Sequence, residues 1–149
     1  MNNSVPEVLE VLQKQLAGVF DLFSQTKQAH WNLKGPHFIA LHNMLDELAG
    51  SMRDHSDALA ERMVALGGYP LGHVVASAEA TYLEAPSADL VIDMEWISFM
   101  ITQYSKVSVE LYKDIATVGE HDPASEDLLI GIVRDVDQFI YFLSSHVAQ

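Results

Sequence analysis

Residues 30–68 read HWNLKGPHFIALHNMLDELAGSMRDHSDALAERMVALGG, and most of the architecture follows from them. Pro36 interrupts the helical pattern that precedes it, because proline disfavours helical geometry in the residue before it. From Phe38 onward, apolar residues recur at steps of three and four, and Gly67-Gly68 stop the pattern. The stretch therefore predicts the end of one helix, a tight turn and one long second helix.

Three more amphipathic helices are predicted around this stretch. The first helix begins in a capping-box spacing of Ser4 and Glu7. One long connection, residues 69–86, follows the second helix, and the third helix is expected to start with Ser87 as its N-cap. The fourth helix is expected to follow Asp122 and a proline.

The lengths of the connections indicate the topology. Four amphipathic helices with short first and third connections and a long middle one predict an all-α, ferritin-like four-helix bundle. The long connection has room for a short helix around residues 74–82. Because the chain shows no internal repeat or domain boundary, a single ferritin-like domain over residues 1–149 is expected.

The composition excludes several functional classes. The absence of cysteine excludes disulfides and thiolate metal sites. Eight basic against 21 acidic residues give a formal charge of −13, which opposes binding to DNA and anionic membranes. No apolar run approaches the roughly 18 residues of a membrane span, and no signal peptide is visible. A cytoplasmic protein is the expectation, and the acidic excess either keeps it in solution or attracts cations.

Two pairs of potential metal ligands lie on one stripe of the second helix. His42 pairs with Asp46, and Asp57 with Glu61, each four residues apart, so that both members of a pair can contact one cation. His30 lies on the apolar face of the first helix. Taken singly, such carboxylates are more often solvated, and a lone histidine on an apolar face is more often a core residue than a ligand.

Axial distance decides how the two pairs cooperate. From His42 to Asp57 is roughly 22 Å along a helix, so one metal ion cannot reach both pairs of the same chain. A second copy of the helix could lie antiparallel to the first, across a two-fold axis near Gly50-Ser51. The His42/Asp46 pair of each chain would then lie opposite the Asp57/Glu61 pair of the other chain. Such an interface makes two identical sites. Nitrogen and carboxylate ligands with open positions suit iron(II) oxidation better than structural zinc.

The motif that forms an iron site inside one ferritin bundle is Glu-x-x-His, and the sequence contains none. An intra-bundle site is therefore not expected, which favours the shared site.

At this level of detail the sequence resembles a known family. The motifs that carry the resemblance are His30-Trp31-Asn32-Leu33-Lys34-Gly35, Leu41-His42, Asp46, Asp57-x-x-x-Glu61-Arg62 and Leu66-Gly67-Gly68. They resemble the Dps family of miniferritins, most densely over residues 30–72. The resemblance implies a hollow dodecamer with di-iron ferroxidase centres at its two-fold interfaces. The implied ligands are His30, His42 and Asp46 from one subunit and Asp57 and Glu61 from its neighbour.

The resemblance also implies an activity. Iron(II) would be oxidised at these centres, with hydrogen peroxide preferred to oxygen, and stored as iron(III) mineral. Trp31, beside a ligand, would act as a sacrificial electron donor; a buried anchor is the alternative. Four acidic residues would line an iron-entry pore at the three-fold axes: Glu120, Asp122, Glu126 and Asp127. Helix capping is the alternative for Asp122 and Glu126.

DNA binding is the point at which the sequence departs from part of the family. DNA-binding members commonly carry a lysine-rich tail, whereas residues 1–5 carry no charge. Together with the net charge, this predicts no appreciable DNA binding. Two alternatives to an iron-storage ferroxidase remain: a nucleoid-binding protection protein, and a helical interaction protein with a vestigial iron site.

Overall fold

The computed structural model describes residues 5–147, whose regular secondary structure is helical. The five helices are α1 (Val5–Asn32), α2 (Phe38–Ala65), α3 (Val74–Ala80), α4 (Asp93–Gly119) and α5 (Pro123–Ser144). An isolated parallel bridge between Lys34 and Ile92 is the only β pairing in residues 5–147. None of the described helices is long and apolar enough to cross a membrane. The prediction of an all-α four-helix bundle with a short helix in the long connection is confirmed.

The bundle consists of two helical hairpins. α1 packs mainly on α2, α4 packs mainly on α5, and α1 also contacts α4 across the bundle. The short helix α3 lies on α1. The apolar stripes of the four long helices form one core, whose fully buried members include Leu12, Leu22, Leu41, Leu45, Met52, Leu59, Trp96, Tyr104, Leu129 and Val136. The α1–α2 hairpin carries the candidate site.

Most of the predicted helix boundaries agree with the structure. α2 begins at Phe38 and ends where Gly67 adopts a φ of +84°, a conformation that favours glycine. The N–H of the following glycine donates to the Met63 carbonyl at 2.8 Å, which satisfies one of the last carbonyls of the helix. α5 begins at Pro123, as predicted. Ser4, predicted to cap α1, lies outside the described residues.

The predicted start of the third long helix is wrong. α4 begins at Asp93, and the Ser87 hydroxyl instead accepts a hydrogen bond from the backbone N–H two residues on, in a local turn. The segment before α4 is held extended by the α1–α2 turn. The Lys34 N–H donates to the Val91 carbonyl at 2.8 Å, and the Lys34 carbonyl accepts from the Asp93 N–H at 2.9 Å. This pairing between distant segments overrides the local capping signal.

Asp93 also fixes the α1–α2 turn. Its carboxylate is 2% exposed and accepts backbone hydrogen bonds from His37 at 3.1 Å and Met94 at 2.8 Å. Burial would raise the pKa of Asp93, but these hydrogen bonds and the nearby His37 ring lower it below its usual value. Gly35, with a φ of +151°, packs against the same carboxylate, where a Cβ atom would overlap it. The turn is therefore held in one geometry, which sets the start of α2 against the end of α1.

Candidate metal centre

The α1–α2 hairpin brings two histidines into contact. The rings of His30 and His42 stack with their centroids 3.7 Å apart and their planes 14° from parallel. Nδ1 of His30 lies 2.6 Å from the carbonyl oxygen of His42, and Nδ1 of His42 lies 2.8 Å from the carbonyl oxygen of His30. The two side chains are thus held reciprocally, each by the backbone of the other residue.

These hydrogen bonds define the tautomer of both rings. A carbonyl oxygen only accepts, so each Nδ1 carries a proton and donates it. In the neutral ring the lone pair therefore lies on Nε2, the atom with which such a histidine would bind a metal ion. Metal-binding histidines characteristically have their other nitrogen fixed by an oxygen acceptor in this way. The hairpin thus presents two oriented nitrogen donors.

One carboxylate of the predicted set lies beside these rings. Oδ1 of Asp46 is 3.9 Å from Nε2 of His30 and 2.7 Å from Nζ of Lys27. The hydrogen bond from Lys27, followed by its charge, holds the pKa of Asp46 below its usual range. Nζ of Lys27 also lies 5.6 Å from the ring centroid of Trp31, in a cation–π arrangement. Trp31 is 65% exposed, so it is not buried within its own bundle.

Lys27 is a residue of the candidate centre that was not predicted from the sequence. Its position three residues before His30 and four before Trp31 puts it on the same face of α1, and this spacing could have identified it. The lysine neutralises Asp46, the carboxylate of the predicted set that lies beside the two histidine rings.

The other two predicted ligands lie elsewhere on the chain. Asp57 and Glu61 are exposed and lie towards the C-terminal end of α2. Among residues 5–147, no group of three or more histidine, aspartate or glutamate side chains is arranged to hold a metal ion by itself. One chain thus stacks the His30 and His42 rings and puts Asp46 beside His30, without closing the three into a metal site, and leaves Asp57 and Glu61 apart.

The predicted pore residues have different environments. They are Glu120, Asp122, Glu126 and Asp127. Oδ2 of Asp122 is 2.7 Å from Nη2 of Arg62 and also accepts a hydrogen bond from the Ser125 hydroxyl. Burial raises the pKa of Asp122, but Arg62 and Ser125 together lower it by more than burial raises it. The pKa therefore lies below its usual value. Asp122 is therefore engaged in a contact between α2 and α5. Glu126 is half-buried, and the other two acidic residues are exposed.

The histidines outside the hairpin pair link parts of the bundle. Nε2 of His55 is 2.7 Å from Oδ2 of Asp135, joining α2 to α5. Nδ1 of His73 accepts a hydrogen bond from the Ala76 N–H and caps α3. His37 with Asp93 and His121 with Glu7 are further contacts between distant segments, whereas His146 contacts the Phe142 carbonyl within one helical turn. Each of these five histidines thus contacts a group of its own chain outside the candidate centre.

Comparisons with known proteins cover nearly the whole chain. A family model described as a ferritin-like domain matches residues 9–149. The DNA protection during starvation protein of Agrobacterium fabrum is 38% identical, over 99% of this chain and 92% of that protein. The fine tangled pili major subunit of Haemophilus ducreyi is 33% identical, over 94% of this chain and 74% of that protein.

Solved structures agree with the sequence comparisons. DpsA14 from Streptomyces coelicolor superposes with a TM-score of 0.96 at 33% identity, covering 100% of this chain and 89% of that one. A Dps protein from Bacillus brevis superposes with a TM-score of 0.93 at 27% identity, covering 99% of this chain and 100% of that one.

Proposed function

The chain belongs to the ferritin-like family and is a Dps-type miniferritin, and from this we propose that it oxidises iron(II) at centres shared between two subunits. The oxidised iron is then stored as mineral inside a homo-oligomeric shell, the dodecamer of the family. Iron is both substrate and cargo. The observation that carries the proposal is the reciprocal pair of hydrogen bonds that leaves Nε2 of His30 and His42 available at one end of the hairpin.

The exposed surface of α2 supports a shared centre. The α2 stripe, as we define it, consists of Ile39, His42, Asp46, Gly50, Arg53, Asp57, Glu61 and Val64, which follow each other at steps of three and four. These residues form four pairs whose members are equally far, along the helix, from a point between Ser51 and Met52. The pairs are Ile39 with Val64, His42 with Glu61, Asp46 with Asp57, and Gly50 with Arg53. An antiparallel second copy centred on that point therefore matches the stripe with itself.

The pairs are chemically complementary. Ile39, which is 64% exposed, faces Val64 of the second copy, which is 59% exposed, so both apolar ends of the stripe become covered. The next pairs inward place the His42 and Asp46 positions against Glu61 and Asp57 of the second copy. Two nitrogens and three carboxylates then surround one location. Such a mixed set of ligands leaves coordination positions open, which suits the oxidation of iron.

Apolar surface next to the hairpin supports the same contact. A cavity of about 720 Å³ lies between α1 and α3, lined in part by Phe20, Phe23, Trp31 and Val74. Val74 and Val75 are 72% and 61% exposed. An apolar face of this kind in a single chain is typical of a surface that another molecule covers. We assign it to the second copy, which would also bury Trp31.

The chemistry balances for peroxide as oxidant. Two iron(II) ions each give up one electron, and one hydrogen peroxide accepts both and, with two protons, becomes two water molecules. This two-electron route releases no hydroxyl radical, which explains how such a reaction protects a cell. Trp31, close to His30, supplies an electron when only one iron is in place. Oxygen is the slower alternative oxidant.

The proposal is tested by iron(II) oxidation with hydrogen peroxide. We expect the wild-type protein to consume both reactants rapidly. Replacing a ligand, as in His42→Gln or Glu61→Gln, should lower the rate by more than the roughly 10–100-fold typical of losing a residue that only supports a ligand. Glu10→Gln, which alters an exposed carboxylate on α1, is the matched control and should keep the wild-type rate. A wild-type rate no faster than that in buffer would refute the proposal.

Protection of DNA by this protein does not require that it bind DNA. Each subunit carries a formal charge of −13, so its assembly offers few cations to displace the counterions of phosphates. We expect no mobility shift of duplex DNA at about 0.15 M salt, where the Debye length is ~8 Å. The same preparation should still shield the DNA from cleavage by iron(II) and peroxide. A retained shift at that salt concentration would favour nucleoid binding instead.

A further inference from the structure

Gly50 is an unusual residue at the centre of α2. Glycine inside a helix is destabilising relative to alanine, because it loses more backbone freedom on folding. Nothing within this chain requires it, because a Cβ atom built at Gly50 meets no atom within 4 Å in the described residues. The space above Gly50 is therefore available to another molecule, and in the proposed dimer it faces the second copy of α2.

Arg53 is the stripe residue that faces this space. In the antiparallel pairing, Gly50 and Arg53 lie equally far from the symmetry point, so each arginine meets the glycine of the other copy. Within its own chain, Arg53 contacts the neighbouring Asp54, with Nη2 3.3 Å from Oδ1, and the two side chains are 68% and 74% exposed. Such an exposed pair holds an arginine weakly, so its guanidinium is free to move.

The charges around the two-fold axis favour an arginine there. Among the eight residues of the α2 stripe, all of them in the described part of the chain, Arg53 is the single lysine or arginine. Three carboxylates of the stripe (Asp46, Asp57 and Glu61) approach the same three of the second copy. Lys27 already neutralises Asp46 within each copy. Asp57 and Glu61 of the two copies then remain as four like charges, which would oppose association.

The register places Arg53 between two ligands of one centre. Asp57 is four residues further along the same stripe, on its own chain. Gly50 of the second copy, which Arg53 faces, is four residues after that copy's Asp46. These two carboxylates belong to the same shared centre. Helices that meet at small residues approach to an interaxial distance of about 8 Å, which an arginine side chain spans.

We infer that Arg53 crosses the two-fold axis over Gly50 of the second copy and holds its own Asp57 and that copy's Asp46 together before iron arrives. This inference rests on the proposed function. Arg53 is thus a positioning residue: it offsets the repulsion between the two halves of each centre in the metal-free protein. A planar guanidinium suits this task because it can donate to two carboxylates at once, whereas lysine provides a single charged point.

The test compares the assembly of metal-free variants of the full chain by sedimentation. Arg53→Gln should raise the protein concentration at which the oligomer dissociates by at least about tenfold at low salt, and Arg53→Lys should restore part of the loss. The difference from wild type should shrink as salt rises, because the missing interaction is electrostatic. Zinc(II), a redox-inactive probe, should reassemble Arg53→Gln by neutralising the same carboxylates. Arg134→Gln, at an exposed arginine on α5, is the matched control.

A second pair of variants tests the position of the side chain. Gly50→Leu should fold, because its own chain leaves space for the new side chain, but it should fail to assemble. Adding Arg53→Ala to Gly50→Leu removes the side chain that the leucine meets and should restore assembly in zinc(II). If the double variant assembles no better than Gly50→Leu, Arg53 does not lie over Gly50.

The outcomes separate this inference from the function on which it rests. If wild type oxidises iron while metal-free Arg53→Gln assembles like wild type at every salt concentration, the inference about Arg53 is overturned and the ferroxidase stands. If wild type neither assembles nor oxidises iron, the proposed function itself fails.

Discussion

The two halves of the candidate centre are built differently. His30 and His42 are locked by each other's backbone, and the turn between their helices is clamped by Asp93. Asp57 and Glu61 stand exposed on a plain stretch of helix. The first half is organised by the folding of one chain, whereas under the proposed function the second half is supplied by a second copy. Association of subunits is therefore a step in constructing the proposed site.

The largest expected effect comes from mixing two inactive variants, one with a substitution in the first half of the centre and one with a substitution in the second half. Glu61→Gln and His42→Gln should each be inactive in iron(II) oxidation. When the two are dissociated and reassembled together at equal amounts, about one quarter of the wild-type sites should return, because half of the dimers are mixed and each mixed dimer has one intact centre. The measurement is the initial oxidation rate with peroxide.

A matched control accompanies this mixing experiment. His42→Gln reassembled with Asp46→Asn carries both lesions in the same half, so no intact centre can form. Equal recovery in the two mixtures would mean that the halves do not come from different chains.

A smaller effect tests the difference in organisation directly. His42→Ala removes a stacked ring and a hydrogen bond, and should lower the free energy of unfolding of the metal-free protein by about 1–2 kcal/mol. Glu61→Gln alters an exposed side chain and should change it by less than about 0.5 kcal/mol. Urea unfolding followed by circular dichroism measures both. Similar losses for the two variants would show that the halves are equally integrated into the fold.

The smallest effect concerns the charge balance of the organised half. Lys27 lowers the pKa of Asp46, so the ionised carboxylate stabilises the folded chain above its ordinary pKa, and this contribution is lost as the pH falls through the folded value. Lys27→Gln should raise the pKa of Asp46 towards its usual value, which an NMR titration of the side-chain carboxyl measures. The pKa of Asp93 should stay low, because its donors are untouched. An unchanged Asp46 titration would show that Lys27 is not its partner in solution.

The sequence predicts those features that depend on neighbouring residues. The start of α2 at Phe38 and its end before Gly67 follow from local signals, and helical spacing alone separates the ligands into two groups. The late start of α4 could not be predicted, since it depends on pairing with Lys34, far away along the chain. The partner of Asp122 was hidden for the same reason, because Arg62 lies on another helix.

Orientation was also beyond the reach of the sequence. The family resemblance grouped His30 with His42 as ligands from one subunit, but it could not show which ring nitrogen each would present. That follows from two carbonyl contacts that exist only once α1 and α2 have packed.

The reciprocal contact between these two residues has a use in protein design. Because each imidazole takes its orientation from the backbone of the other, the α1–α2 hairpin with its Asp93 clamp is a transferable unit that delivers two aimed nitrogen donors. A designer who grafts it onto another helical scaffold would need to supply only the carboxylates from a facing surface. The geometry of those carboxylates could then be varied freely, which would allow the metal preference of the grafted site to be chosen independently of its histidines.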